Sequence, residues 1–285
     1  MNTWLLLDTN QLCHRAFHTK SGLYYDNTPT GAIYGVLADV ISLQGKFNTN
    51  NIVFAFDFGL SRRRKLCPTY KMGRQKLREE MDEEQKKKYA ALIQQIEALR
   101  TNWLKRIGFK NVFSKKGYEA DDIIASICLN LKGRDEAIIV SSDKDLLQLL
   151  RPRVRIYNPA KKQVYTREIF KRDYGITPKM WYHVKALAGC NTDEIPGIRG
   201  VGEKTAIKFL NDELKEGTKT YQSIISPEGT STYWRNLKAV KLPLKGTPTF
   251  KLRKDKTLEW GPAMKALGIR TLNPDVSYKE RPKLA

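Results

Sequence analysis

The stretch 137–145, AIIVSSDKD, is an apolar run that stops at two aspartates one residue apart, Asp143 and Asp145. A continuous run rich in β-branched residues and bounded by polar ones reads as a strand buried on both faces, with the two carboxylates at its carboxyl end. That edge is where parallel α/β sheets build their sites. Two other runs end the same way: 4–7 stops at Asp8 and 52–56 stops at Asp57. Upstream of the third run, EADD supplies Glu119, Asp121 and Asp122 and opens an amphipathic helix whose apolar positions Ile123, Ile124, Ile127 and Leu131 keep helical spacing. The expectation is an α/β fold that brings seven carboxylates to one sheet edge.

Carboxylates so crowded repel one another, and the remedies are protonation, pairing with Arg or Lys, or a hard cation. All-oxygen ligation suits Mg²⁺ or Mn²⁺ rather than zinc. Two such ions about 3.5–4 Å apart clamp a phosphodiester for in-line hydrolysis. Each aspartate also has a plainer explanation: acidic residues favour the first turn of a helix, which alone would account for Asp121 and Asp122, and Asp at a strand end caps a turn. Three apolar strands each ending in Asp, with EADD between the second and third, favour the metal.

The chain has 285 residues, enough for one large domain or two modest ones, and a formal net charge of +21. A basic surface around an acidic centre suits a protein that holds a polyanion and cuts it with metals. Solvated basic faces or binding to an anionic membrane are the plainer alternatives. Cys13, Cys67, Cys128 and Cys190 form no C-x-x-C pair, which argues against a zinc site or disulfide framework and for a reducing compartment. The N-terminal apolar stretch ends at Asp8, too short for a signal peptide or membrane span, so a soluble cytoplasmic protein is expected. His14, His18 and His183 lack metal-ligand spacing and read as structural or nucleic-acid-facing.

After Asp8 the residues TNQLCHRAFH should form a helix, on which Arg15 stands two turns along and aims back toward a bound phosphate. Residues 34–43 read as a helix on the sheet. Beyond Asp57, about 60–90, the chain is rich in both charge signs and poor in apolar residues. It reads either as an exposed, salt-bridge-laced or partly disordered excursion, or as a basic lid with Lys71 and Arg74 one turn apart and Tyr70 offering a ring on which a base stacks. Its start beside Asp57 favours the lid. Residues 91–107 keep helical spacing, 109–113 form a short strand, and 154–157 with 163–165 suggest a hairpin. A first domain, 1–172, closes there.

A second unit, 173–240, starts with Thr177-Pro178, a helix start. It contains G-x-G-x-K-T-A, in which Gly200 and Gly202 with Lys204 and Thr205 form a tight turn whose free amides bind a phosphate of DNA without reading sequence. The spacer of an ATP-binding loop is missing. Residues 241–285 read as a surface loop followed by a short helix at 262–267 that packs back.

Taken in order, D-T-N with Arg15 downstream, F-D with P-x-Y-K-x-x-R, E-A-D-D, S-x-D-x-D and an acidic loop before IPGIRGVGEKTA resemble the 5′-nuclease family. That family includes the 5′→3′ exonuclease domain of bacterial DNA polymerase I and the stand-alone bacteriophage flap endonucleases; with no polymerase portion, this chain resembles the latter. The resemblance covers roughly residues 2–210. It implies a PIN-like parallel-sheet domain with a helical arch, followed by a helix-three-turn-helix DNA-binding domain. It further implies two or more Mg²⁺ ions, with Mn²⁺ as substitute, among Asp8, Asp57, Glu119, Asp121, Asp122, Asp143, Asp145 and Asp193. Lys71, Arg74 and Arg15 would contact the scissile phosphate and Tyr70 would stack on a base. The hairpin of Gly200 and Gly202 would grip the duplex, with K⁺ as an accessory ion. DNA with 5′ ends or flaps and RNA–DNA hybrids are the implied substrates, and replication proteins such as a clamp or a single-strand-binding protein are candidate partners of a monomer in the cytoplasm, the host's if phage-encoded.

One departure stands out: the family has Gly-Asp where this chain has Gly189-Cys190. A neutral thiol is a poor partner for Mg²⁺, so a weaker second metal site is expected. Two rivals remain. A topoisomerase–primase-type domain or a D-x-D phosphatase places its acidic signature differently, the phosphatase needing D-x-D where this chain has Asp8-Thr9-Asn10. A non-catalytic, structure-specific DNA-binding protein would keep the grip and lose the metal through Cys190.

Overall fold

The computed structural model describes residues 1–20, 22–255 and 257–274. Its strands are β1 (Thr3–Asp8), the short hairpin pair β2 (Tyr24–Tyr25) and β3 (Thr28–Pro29), β4 (Ile52–Phe56), β5 (Val112–Ser114), β6 (Glu136–Val140), β7 (Val154–Asn158), β8 (Gln163–Tyr165), and a second pair, β9 (Gly189–Cys190) and β10 (Ile195–Pro196). The helices are α1 (Thr9–Lys20), α2 (Gly31–Phe47), α3 (Met72–Glu79), α4 (Glu83–Ala98), α5 (Leu104–Ile107), α6 (Ala120–Leu129), α7 (Arg167–Tyr174), α8 (Trp181–Ala188), α9 (Glu203–Leu210), α10 (Lys219–Ile225), α11 (Pro227–Val240) and α12 (Trp260–Ala266).

Six strands form the central sheet in the order β5-β4-β1-β6-β7-β8, parallel except for β8. The apolar runs are continuous because both faces are covered. Trp4, Leu6, Val53, Ala55, Ala137 and Ile139 meet Ile123, Ile124 and Ile127 of α6 on one face. On the other, Leu5, Leu7, Ile52, Phe54, Phe56, Ile138 and Val140 meet α2 and, through Trp260 and Met264, α12. The chain builds outward from β1 to β4 and β5, then returns to lay β6 on the opposite side of β1. Strand order therefore reverses at β1, and the carboxyl ends of β1 and β6 flank a crevice at that switch point.

Between β4 and β5 the excursion is folded. A 3₁₀ turn, Arg62–Lys65, precedes α3, which buries no residue, and Asp82 caps α4 reciprocally with Gln85. Exposed pairs such as Lys88–Glu84 and Lys86–Glu83 line its outer part. The helix expected at 91–107 begins at Glu83 and runs through a π turn, Leu99–Trp103, into α5. The capping residues Thr218 and Ser226, with Pro227 at the first position, start α10 and α11, which the sequence reading did not resolve. The expected division at 172 falls inside α7, whose Phe170 and Tyr174 pack on Trp181 of α8 in the core that also lies under the sheet. Trp260, Ala263 and Met264 of α12 pack in the core beside the sheet; 275–285, the rest of that extension, lie outside the described residues. Among the described residues, no helix is long and apolar enough to cross a membrane.

Candidate active site

Five segments of chain bring the acidic residues together near the carboxyl edge of the sheet. Asp8 closes β1, almost buried, and accepts from the Gln11 amide at 3.2 Å and the Ser141 hydroxyl at 3.3 Å. Asp57 follows β4 and accepts from the Ala120 amide, the first of α6, at 2.7 Å, while its own amide donates to Asn10 Oδ1. Asp143 follows β6 and accepts the Asp145 amide at 2.7 Å, which opens the 3₁₀ turn Lys144–Leu149. Asp121 stands in the first turn of α6, and Asp193 ends a 3₁₀ turn in the β9–β10 hairpin.

These carboxylates feel one another. Burial, then Asp57 and Asp143, pushes Asp8 up to about 7. Burial and the neighbouring Asp143 and Asp8 push Asp121 well up. Asp57 is raised by the protein around it and by Glu119, and Asp145 is raised to about 6 by burial and Asp143. Asp193 is raised too, chiefly by burial. A donor set that resists ionisation together is one that a divalent cation relieves, and its members are oxygens of the kind Mg²⁺ and Mn²⁺ take. By this measure Asp8, Asp57, Asp121, Asp145 and Asp193 fit such ions, and Asp143, whose charge raises Asp8, Asp121 and Asp145, stands among them.

The sign of the resulting pH dependence is fixed. Carboxylates raised in the fold bind more protons than the unfolded chain between about pH 4 and pH 7, so stability falls as pH rises through that window. Without metal the protein is expected to melt several degrees higher at about pH 5.5 than at about pH 8, and added Mg²⁺ to raise the melting temperature at the higher pH far more than at the lower. A metal-free melting curve flat across that range contradicts this.

Asp122 is corrected. Both of its oxygens are held by Arg63 at 2.7 Å, and the Leu244 and Glu119 amides also donate to it, so it is a buried structural partner with no free ligand position. Glu119 lies between: Arg63 Nη1 donates to it at 2.9 Å, Lys71 Nζ at 2.7 Å and the Tyr70 hydroxyl at 2.7 Å. Burial alone would push Glu119 up, but Lys71 and Arg63 outweigh it and hold the carboxyl below its ordinary value. Burial likewise opposes the Lys71 charge, yet Glu119 and Asp193 keep its pKa above that of a free lysine. Arg74 pairs with Asp193 at 3.1 Å.

Two further expectations change. Tyr70 is 2% exposed, so its ring offers no open face for a base; its hydroxyl instead ties the start of the excursion to Glu119 and Asp193. Arg15 does not aim at the carboxylates, because Asp39 on α2 takes its guanidinium. Gly200, at φ +79°, and Gly202 form an exposed turn with open space where a Cβ would stand, and Gly202 caps α9, on whose first turn Lys204 is exposed. A cleft of about 640 Å³ joins this turn to the carboxylates, lined by Gln11, Arg74, Asp143, Asp145, Lys185 and Glu203 among others.

The sequence reading missed Arg63, hidden in the run SRRRK, and Lys185, whose ammonium pairs with Asp145 at 3.4 Å and Glu203 at 3.1 Å. A lone lysine within the apolar stretch WYHVKALAG was its signal. Cys190 lies at the other end of the same site: ligand atoms of Asp145, Cys190 and Asp193 all fall within 4.8 Å of one another. Burial and Asp145 raise the thiol's pKa, keeping it neutral. Cys190→Asp is expected to lower the Mg²⁺ concentration for half-maximal activity on the order of tenfold, since it restores a hard ligand; unchanged metal dependence sinks the idea.

Comparison with known proteins bears on this geometry. The family described as "5'-3' exonuclease, N-terminal resolvase-like domain" matches residues 3–175. A 5'-3' exonuclease of Buchnera aphidicola subsp. Acyrthosiphon pisum is 32% identical over 250 residues, 86% of this chain and 81% of that protein. One from Aquifex aeolicus is 34% identical over 213 residues, covering 74% and 69%. In the DNA polymerase I of Thermus aquaticus, 31% identical over 211 residues, the match covers 73% of this chain and 24% of the polymerase. Among solved structures, one of bacteriophage T5 described as "Divalent metal ions (zinc) bound to T5 5'-exonuclease" superposes with a TM-score of 0.71 at 22% identity, covering 85% of this chain and 90% of that one, which shows the same fold. The matched span contains the three strand-end aspartates, the acidic opening of α6 and the excursion with its two cations, and on that evidence the chain belongs to the 5′–3′ exonuclease family, whose members are phosphodiester hydrolases.

Proposed function

We propose that this protein is a divalent-metal-dependent 5′-nuclease with 5′–3′ exonuclease and flap endonuclease activity on DNA and on RNA–DNA hybrids, serving primer or flap removal in replication and repair. The observation that carries the reading is the meeting of six crowded carboxylates, five of them raised, with two cations, Lys71 and Arg74, at the switch point of the sheet. Asp8, Asp57, Asp121 and Asp143 would hold one Mg²⁺, and Asp145, Asp193 and Cys190 the weaker second. Ions bound there would activate water and offset the charge of the scissile phosphate.

The chain's own residues do the rest. The amides of the Gly200–Gly202 turn and the first turn of α9, with Lys204 and Thr205, seat a phosphate of the duplex backbone, which fixes position without reading sequence. Lys71 and Arg74 present charge where the phosphate gains it, and the cleft leads from the turn to Arg74. The folded excursion α3–α4 stands as an arch beside the site and selects an end or single strand. A structure described as a "bacteriohage T5 D15 flap endonuclease" complex "with DNA and metal ions", TM-score 0.70, has this fold and supports the reading. A K⁺ at the glycine turn, and a clamp or single-strand-binding protein as partner, are consistent extensions.

The test is incubation with a 5′-labelled flap duplex and a recessed RNA–DNA hybrid in Mg²⁺, Mn²⁺ or EDTA, beside Asp143→Asn. Short 5′ products that need metal and vanish in the variant are the expected result. Tight flap binding with no cleavage in either metal would replace it with the binding-only reading.

A further inference from the structure

We propose that Glu194 is a positioning residue that latches the foot of the α3–α4 arch to the glycine hairpin, so that the DNA grip and Lys71 move as one unit. This rests on the nuclease reading above. Its basis is a set of contacts outside the carboxylate cluster. Both oxygens of Glu194 accept from the Gly73 amide, at 2.7 and 2.8 Å, at the start of α3. The Glu194 carbonyl accepts from the Thr69 hydroxyl at 2.7 Å, and the carbonyl of its neighbour Asp193 accepts from the Lys71 amide at 3.0 Å. Three consecutive stations of the arch's foot, 69, 71 and 73, are thus fastened to one dipeptide.

Position 73 is built for this contact. A Cβ there would lie 2.8 Å from Glu194 Oε1, so any larger residue would have to push the carboxylate aside. Lys71 and Glu194 both hold left-handed backbone, at φ +53° and +55°, a conformation that ordinary side chains rarely adopt and that surrounding contacts must impose. The helix is otherwise lightly held: α3 buries no residue, and among the described residues its other anchors are Arg74 on Thr192 and Asp193, Arg64 on Gln75 Oε1 and the Lys71 carbonyl, and Arg78 over the Tyr89 ring of α4. From Glu194 the chain passes through β10, paired with β9, and reaches Gly200 six residues on. A backbone seated on that turn is therefore linked through a short, hydrogen-bonded path to the placement of the Lys71 ammonium.

The test compares Glu194→Ala, Glu194→Gln and Gly73→Ala with the wild type by two readouts. One is trypsin cleavage within 74–88, where Arg74, Lys76, Arg78, Lys86, Lys87 and Lys88 offer sites. The other is kcat and KM on a 5′-flap duplex in Mg²⁺, after matching melting temperatures show that each variant is folded. Glu194→Ala is expected to be cut several-fold faster and to lose about tenfold to hundredfold in kcat, as misplacement of a catalytic group by about an ångström does, with KM within about twofold. Glu194→Gln, whose amide oxygen still accepts from Gly73, should recover most of both, and Gly73→Ala, which displaces the carboxylate without removing it, should fall between the wild type and Glu194→Ala. Wild-type cleavage and kcat in Glu194→Ala, or a Gln variant as impaired as Ala, overturns the latch. A wild type that cuts no flap would instead remove the nuclease reading, while the trypsin comparison would still decide whether Glu194 holds the arch.

Discussion

Arg63→Met is expected to lower stability to urea by about 3–5 kcal/mol, the usual cost of removing one partner from a buried ion pair. Arg63 is 3% exposed, so water cannot take the place of its guanidinium. Its two terminal nitrogens bind both oxygens of the fully buried Asp122, one also reaches Glu119, and Nε donates to the Ala239 carbonyl at 2.8 Å, tying the foot of the arch to the end of α11. Burial opposes the guanidinium charge, but Asp122 and Glu119 outweigh it and raise its pKa further. Methionine fills much of the volume and satisfies neither carboxylate. Arg63→Met with Asp122→Asn should recover a good part of the loss, because the amide removes the orphaned charge while its oxygen still accepts from the Leu244 or Glu119 amide. A single-variant cost under about 1 kcal/mol would show that solvent reaches the pair after all.

Arg63 also shows where the sequence stops being legible. Strands β1, β4 and β6 could be read because burial on both faces makes their runs continuous, and the aspartate after each follows from where such strands end. The direction of a side chain is another matter. Asp121 and Asp122 are neighbours in the first turn of α6, about 100° apart on the helix, so one meets the other strand-end carboxylates and the other points into Arg63. Nothing in E-A-D-D says which. In SRRRK a buried guanidinium is indistinguishable from the exposed ones beside it, since its burial is set by Asp122 and α11, far along the chain. The same holds for Tyr70: P-x-Y-K places the ring at the site, but the packing of Cys67, Ala186 and Ile195 around it decides that it is covered.

Glu119 sits between two cations, and substituting the second should separate fold from chemistry. Lys71→Ala is expected to lower kcat on a flap substrate by about 10²–10³, with KM little changed, because in the proposed mechanism the ammonium stands where charge develops and contributes little to binding the duplex far from it. Its position is fixed from three sides: Nζ donates to Glu119 at 2.7 Å, lies 3.7 Å from Asp193 and stands 4.9 Å from the centre of the Tyr70 ring. Unlike Arg63, Lys71 keeps about a fifth of its side chain open to solvent, so the stability cost of its removal should be well below that of Arg63→Met. Glu119 would then keep only Arg63 and the Tyr70 hydroxyl, and its carboxyl should titrate higher as burial gains weight. Lys71→Arg keeps the charge but replaces a compact ammonium with a planar fork, and should restore only part of the rate. A Lys71→Ala enzyme whose loss appears wholly in KM would place the residue in substrate binding, whereas equal losses in kcat and in melting temperature would make it a second structural cation like Arg63.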